Sequence, residues 1–300
     1  MKVKSIIIIV FVLLISACGG KQPLGSKQNP VKMYFVPSME AAKIVTSAEY
    51  IANRLEEKTG YNFKIAVPTS YAAVIEAMGT EEADIAFLAT FAYILANEKY
   101  NAQVELMTVR NGLNKYRGQF VALKDSEINS IEDIEDKTIA YTDAASTSGY
   151  IYPSALLKQE EIMPSREIMA GGHPQAIMAV YQGLADVGCS FWSPPDSLGI
   201  PQDARMYISE TYPDVFEKTK IIGYTEWIPN DTVTFRDKFP IEMKNQILNA
   251  LLEISEEPEG KKQLDELYSI NGFSKASDED YDIVRKSLES LGMDPTDFFK

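Results

Sequence analysis

The chain has 300 residues, 45% of them hydrophobic, with a formal net charge of −14, one histidine and two cysteines. That length suits one large or two medium α/β domains, and the apolar share is ample for a packed core, which excludes a disordered chain. The acidic balance disfavours nucleic acid and anionic membrane surfaces as partners. No CxxC, HExxH, GxxxxGK or GxSxG pattern occurs, and a lone histidine cannot build a multi-histidine metal site. No cofactor and no metal are therefore expected.

Residues 1–4 are positively charged and 6–15 form an apolar run too short to span a bilayer comfortably. The run ends in Ser16-Ala17-Cys18, followed by Gly19-Gly20. Small residues ahead of a cysteine resemble the bacterial lipoprotein cleavage motif. The resemblance implies a signal peptide over 1–17 and an acylated Cys18 as the first mature residue. Residues 18–30 are polar, with glycines and prolines, and read as a lipid-anchored linker. With Cys18 lipidated, only Cys189 remains. No intrachain disulfide is then possible, and Cys189 is expected to be a small buried core residue.

From residue 31, short apolar strands alternate with amphipathic helices, as in an α/β fold. A strand at 32–36 is turned by Pro37-Ser38 into a long helix. There Ile44, Ala48, Ile51 and Leu55 recur at helical spacing, and Gly60 stops it. Strand 63–67 leads to helix 71–78, strand 84–88 to helix 92–99, and strand 104–109 follows. Strand 118–123 leaves this first unit. A second αβ unit, 131–223, holds strand 138–141, a helical run 149–158, helix 175–182 and strand 186–190. Strand 232–235 and helices 241–253, 259–268 and 278–291 complete the chain, with no internal repeat. The acidic helix starts at Glu256-Glu257 and Asp278–Asp280 favour the helix dipole and are given no functional role.

Ser146-Thr147-Ser148, ahead of Gly149-Tyr150, falls between a strand and a helix. The first N–H groups of a helix lack intrahelical partners and its dipole is positive there, so an anion is favoured. Three hydroxyls add donors suited to a tetrahedral oxyanion. The same pattern also fits a simple helix N-cap.

Further stretches align with this one: 84–88 with Phe91 and Tyr93, 146–150 with Pro153, 170–173 (Ala-Gly-Gly-His) with Gly183 and Asp186, and 228–231 (Ile-Pro-Asn-Asp). In order and spacing they resemble the phosphate/phosphite/phosphonate-binding lipoproteins that feed ABC transporters, over about residues 31–270. The resemblance implies a two-lobed periplasmic-binding fold of type II, with two crossover strands and a ligand cleft between the lobes. The implied lobes are 31–120 with 225–300, and 121–224, hinged near Phe120 and Tyr224. It also implies an ABC permease and an ATPase as partners, and a monomer at the cell envelope, anchored to the membrane through Cys18 and facing the periplasm or exterior.

Carried over by that resemblance, the ligand contacts fall on Tyr71, Tyr116, Ser146, Thr147, Ser148, His173 and Asp231. The hydroxyls and His173 would hold the phosphorus oxyanion, the two tyrosines would donate from the opposite lobe, and Asp231 would take a ligand ammonium. Thr90 and Tyr93 are weaker candidates at a strand end. The chain departs from the family pattern at Pro174 and at 191–196. No second carboxylate is evident there; Asp196 is one candidate, and Trp192 is another, to stack on a flat or cationic ligand. Arg117, beside Tyr116, is read either as a contributor or as solvent-exposed. The function implied is capture of a phosphonate, phosphite or related solute by cleft closure, without enzymic activity. The alternatives are a receptor for an aromatic phosphorylated metabolite such as a thiamine phosphate, a phosphoryl hydrolase using Ser146, and a sensory lipoprotein outside transport.

Overall fold

The structure, a computed structural model, describes residues 22–196, 198–290 and 292–295. The expected signal peptide 1–17, the expected lipidation at Cys18 and the start of the linker lie outside the described residues. Among the described residues, no helix is long and apolar enough to cross a membrane.

Strand β1 (Val31–Phe35) buries Val31, Met33 and Phe35 on one face. Helix α1 (Ala41–Thr59) buries Ile44, Ala48, Ile51 and Leu55, as the helical spacing predicts, and Gly60 ends it at φ 75°, where a side chain would be strained. Strand β2 (Phe63–Ala66) leads to helix α2 (Tyr71–Gly79), whose Ser70 cap accepts from the Ala73 N–H at 3.2 Å. The fully buried strand β3 (Ile85–Leu88) leads to helix α3 (Thr90–Tyr100), and strand β4 (Gln103–Val109) closes the first unit.

Strand β5 (Lys115–Leu123) opens a second sheet. It is followed by β6 (Thr138–Tyr141), helix α4 (Tyr152–Gln159), β7 (Arg166–Met169), α5 (His173–Tyr181), β8 (Val187–Ser193) and the short β9 (Gln202–Asp203). Helix α6 (Val215–Lys218) and strand β10 (Thr219–Pro229) finish this sheet. The chain then returns through β11 (Thr232–Phe235), α7 (Ile241–Ile254), α8 (Pro258–Tyr268), β12 (Gly272–Lys275) and α9 (Asp282–Ser290).

The first sheet has the order β12-β4-β11-β3-β1-β2, and the second β10-β5-β8-β6-β7 with β9 on β8. The ladder of β5 with β10 runs from Leu123↔Thr219 to Lys115↔Pro229. The chain therefore changes sheet at 110–114 and 230–231, outside the 121–224 span expected for the inserted unit. Cys189 is buried within β8.

Direction within the sheets decides what meets between them. β1, β2 and β3 are parallel, and β11 runs antiparallel to β3 and β4. The carboxyl ends of β1–β4 and the start of β11 thus share one edge. In the second sheet β6 is parallel to β7 and β8, while β5 is antiparallel to β8, so the start of β5 shares the edge holding their carboxyl ends. Ligand clefts of α/β sheets open at such edges.

The helical run expected at 149–158 begins differently. Thr147–Ile151 form one turn of π-helix, in which the Tyr150 and Ile151 N–H groups both donate to the Ser146 carbonyl, at 3.1 and 3.0 Å. The wide turn needs a glycine at 149, because a Cβ there would lie 2.0 Å from Thr142 Oγ1 and 2.6 Å from Thr142 Cγ2. Gly149→Ala is expected to destabilise the protein by about 1–3 kcal/mol. Thr142→Ala, which removes those two atoms, should recover part of the loss. Chemical denaturation of the single and double variants measures this, and an additive double variant would contradict the packing account.

Candidate functional site

A cavity of about 40 Å3 lies where the two edges face each other, lined by Ser38, Tyr71, Thr108, Arg110, Tyr116, Ser146, Ser148, His173, Ser193, Tyr207, Asp231 and Tyr268 among others. One buried water takes about 10–15 Å3 of such space, so the cavity suits roughly three waters or one five-atom oxyanion. Four helical starts meet there. Tyr71 is the first residue of α2, Ala89 precedes α3, Ser146 precedes the π turn and His173 is the first residue of α5, and all four line the cavity. Their leading N–H groups and positive dipole ends favour an anion from both sheets at once.

The same helical starts bind one sheet unit to the other. Thr147 Oγ1 accepts from the Phe91 N–H at 2.8 Å, Ser38 carbonyl accepts from the His173 N–H at 3.1 Å, and Asp143 Oδ2 accepts from the Tyr71 N–H at 3.4 Å. Ser146 acts in both of the ways its sequence allows. Its hydroxyl caps the π turn by accepting from the Gly149 N–H at 3.2 Å, and the residue also lines the cavity.

His173 is buried, and its ring packs edge-on against Phe191 at 5.1 Å. Its Nδ1 accepts from the Phe191 N–H at 3.3 Å, which leaves Nε2 as the nitrogen that carries the proton. Burial first, and then the positive charge of Arg110, push the imidazole pKa down to about 3. At neutral pH this is an uncharged donor. Burial, followed by the charge of Asp143, holds the Tyr71 phenol well above its ordinary range, and burial followed by Asp231 does the same for Tyr116. Both hydroxyls stay protonated and can donate.

Of the residues expected at the ligand, Tyr71, Tyr116, Ser146, Ser148, His173 and Asp231 are brought together on this cavity. Thr147 stands behind it, committed to Phe91. Thr90 donates to the Pro229 carbonyl at 2.6 Å and Tyr93 to Asp278 at 2.5 Å. Trp192 lies apart, against Tyr224 and Trp227 at 4.8 and 6.2 Å. Asp196 accepts from the Leu198 and Ile200 N–H groups, within its own turn. Arg117 donates to the Thr225 carbonyl and covers the Tyr224 and Trp227 rings, away from the cavity. Among the described residues, no cluster of metal-ligating side chains occurs.

Sequence reasoning missed Thr108 and Arg110. Residues two apart share one face of a strand, so both project to the cavity from the end of β4. Thr108 Oγ1 is buried and lacks a hydrogen-bond partner among the described residues. Arg110 donates from Nη2 to Asp231 Oδ2 at 2.7 Å and from Nε to the Tyr268 carbonyl at 2.8 Å. A basic residue directly after a strand was the available signal.

Two α/β units whose facing edges enclose a small anion-ready cavity define a two-lobed periplasmic-binding fold of type II. The chain belongs to the family described as ABC transporter, phosphonate, periplasmic substrate-binding protein, whose model matches residues 33–281. The phosphate-import protein PhnD of Mycolicibacterium smegmatis is 28% identical over 198 residues, 60% of this chain and 62% of that protein. The chain thus spans about three-fifths of the length of that relative. A binding protein component of an ABC phosphonate transporter from Pseudomonas aeruginosa has a TM-score of 0.77 at 22% identity, covering 91% of this chain and 87% of that one. PhnD1 from Prochlorococcus marinus in complex with methylphosphonate has a TM-score of 0.74 at 15% identity, covering 87% and 98%.

The depressed His173 pKa makes stability depend on pH. The unfolded imidazole titrates near about 6.5. Between there and about 3 the unfolded state binds more protons than the folded one. This contribution is complete above about pH 6.5 and is lost as pH falls towards 3, at up to about 1.4 kcal/mol per pH unit. Denaturant unfolding at pH 7, 6, 5 and 4 should show a shallower slope for His173→Gln than for the parent. Identical slopes would mean that the imidazole is not buried neutral.

Proposed function

We propose that this protein captures a small phosphorus oxyanion, such as phosphite, methylphosphonate or phosphate, and presents it to an ABC permease and its ATPase. The observation that carries the reading is the meeting of four helical starts, two from each sheet unit, on one cavity with the neutral donor His173. An acidic protein repels anions at long range, so capture has to rest on local donors desolvated by closure. Ser146, Ser148 and His173 donate from one lobe, and Tyr71 and Thr108 from the other. Tyr116 joins them from the start of β5. The ligand favours the closed form because only that form assembles both sets of donors.

The hinge of this motion is the pair of connections 110–114 and 230–231, where the chain changes sheet. The protein acts as a monomer at the cell envelope, held to the membrane by lipid on Cys18, and it performs no chemistry on its ligand. Two observations argue against a hydrolase. The Ser146 hydroxyl is engaged as a cap, and the unprotonated His173 Nδ1 is turned to the Phe191 N–H, so His173 is not placed to serve Ser146 as a base. A thiamine phosphate is disfavoured by the small cavity and by Trp192 lying outside it.

Titration calorimetry with phosphite, methylphosphonate, phosphate and thiamine phosphate tests this. One of the first three should bind, and Ser148→Ala should weaken it by about 1–3 kcal/mol through loss of a hydrogen bond to a charged group. Trp192→Ala should leave the affinity unchanged. Loss of binding in Trp192→Ala with none in Ser148→Ala would move the site elsewhere.

A further inference from the structure

The cavity holds one feature that anion capture alone does not need. Asp231, the only carboxylate lining it among the described residues, is already paired by the protein. Its Oδ2 takes the Arg110 Nη2 at 2.7 Å, and both side chains are largely buried, at 11% and 24% exposure. Both partners are anchored further. Arg110 is held by its Nε on the Tyr268 carbonyl and lies over the Tyr116 ring at 5.9 Å. Asp231 is fixed through its own backbone, since its carbonyl accepts from the Thr108 N–H at 2.9 Å. The pair spans the two crossings between sheets, one residue from each.

Resting on the reading of the site as one for a phosphorus oxyanion, we propose that Arg110 is a specificity-determining residue. Its guanidinium takes the place on Asp231 that a ligand ammonium would need, so the site selects oxyanions bearing hydrogen, hydroxyl or a small apolar group and rejects aminoalkylphosphonates. An ammonium arriving beside Asp231 would meet a fixed positive charge in a desolvated space, and rejection by like charge is an effective means of discrimination. The Phe87, Leu88, Val36 and Phe191 side chains on the same wall are apolar, and the hydroxyls beside them are neutral, so among the described residues the lining offers no second negative charge to balance an ammonium. The guanidinium has five N–H donors, of which Asp231 and Tyr268 take two, so Arg110 also keeps donors for the anion's oxygens.

The test compares two probes of equal size, ethylphosphonate and aminomethylphosphonate, which differ by an uncharged methyl against an ammonium. Phosphite serves as the reference for the anion site. Calorimetry on the parent should show ethylphosphonate binding at least about tenfold more tightly than aminomethylphosphonate, or binding alone. In Arg110→Met the order should reverse, because Asp231 then lacks a counter-charge. Arg110→Lys, which keeps the charge, should retain the parent order. Asp231→Asn supplies a second route should Arg110→Met fail to fold, and there phosphite should bind more tightly and aminomethylphosphonate should remain excluded.

Equal affinity of the two probes in the parent overturns the proposal, as does an order unmoved by Arg110→Met in a protein that melts like the parent. Stronger aminomethylphosphonate binding in Asp231→Asn would overturn it as well. A parent that binds phosphite but prefers the ammonium probe refutes the role of Arg110 alone. One that binds no phosphorus oxyanion refutes the reading of the site, and this proposal with it.

Discussion

Helix starts carry N–H groups that the helix itself cannot satisfy, and in this protein four of them converge on one buried place. Burying such groups without partners is costly. The fold answers part of that demand across the gap between its sheets: Thr147 receives Phe91, Ser38 receives His173 and Asp143 receives Tyr71. What remains faces the cavity, with hydroxyls from Ser146, Ser148 and Thr108 beside it. The strand directions enforce this arrangement. Every residue on the cavity wall that belongs to a sheet comes from the carboxyl end of a strand running one way or the start of a strand running the other. On the proposed reading, closure and ligand contact are therefore built on the same four helical starts through different groups, and a change to a start bears on both.

Charge is handled locally. With a net charge of −14 the molecule offers no attraction to an anion at a distance. Inside, His173 is kept neutral by burial and by Arg110, and Arg110 itself is already balanced by Asp231. On the proposed reading, neutral donors and dipoles carry most of the complementarity to the anion, and they are strong where water is excluded. This differs from a site built on a cluster of lysines, whose affinity would fall steeply with salt.

Legibility in the sequence followed how local each signal was. The stripe Ile44, Ala48, Ile51 and Leu55 is a single-helix pattern, and all four side chains are buried on α1. Strand β11 was readable at its full length, 232–235. The strands that escaped notice are short or do not alternate: β7 reads Arg-Glu-Ile-Met at a sheet edge, β9 is only Gln-Asp and β12 is Gly-Phe-Ser-Lys, while β10, expected only as a crossover near Tyr224, is interrupted by register shifts around Gly223 and Trp227. In the site, Ser146, Ser148 and His173 were legible because each sits in a compact motif at a helix start. The Arg110–Asp231 pair joins residues 121 positions apart, and nothing near Arg110 announces its partner. Thr108 looks like any β-branched strand residue. Trp192 and Asp196 lie close in sequence to Phe191 and Ser193 on the cavity wall, but the alternation of β8 turns Trp192 to the other face, and Asp196 lies in the turn beyond it.

The central claim is that a tetrahedral anion sits between the helical starts of both lobes. A crystal structure with bound phosphite or methylphosphonate tests it directly. The anion's oxygens are predicted within hydrogen-bond distance of Ser148 Oγ and His173 Nε2 on one side and of the Tyr71 hydroxyl and Arg110 on the other, with Thr147 Oγ1 still receiving the Phe91 N–H. An anion held by one lobe alone, or bound outside this cavity with His173 untouched, would contradict the account.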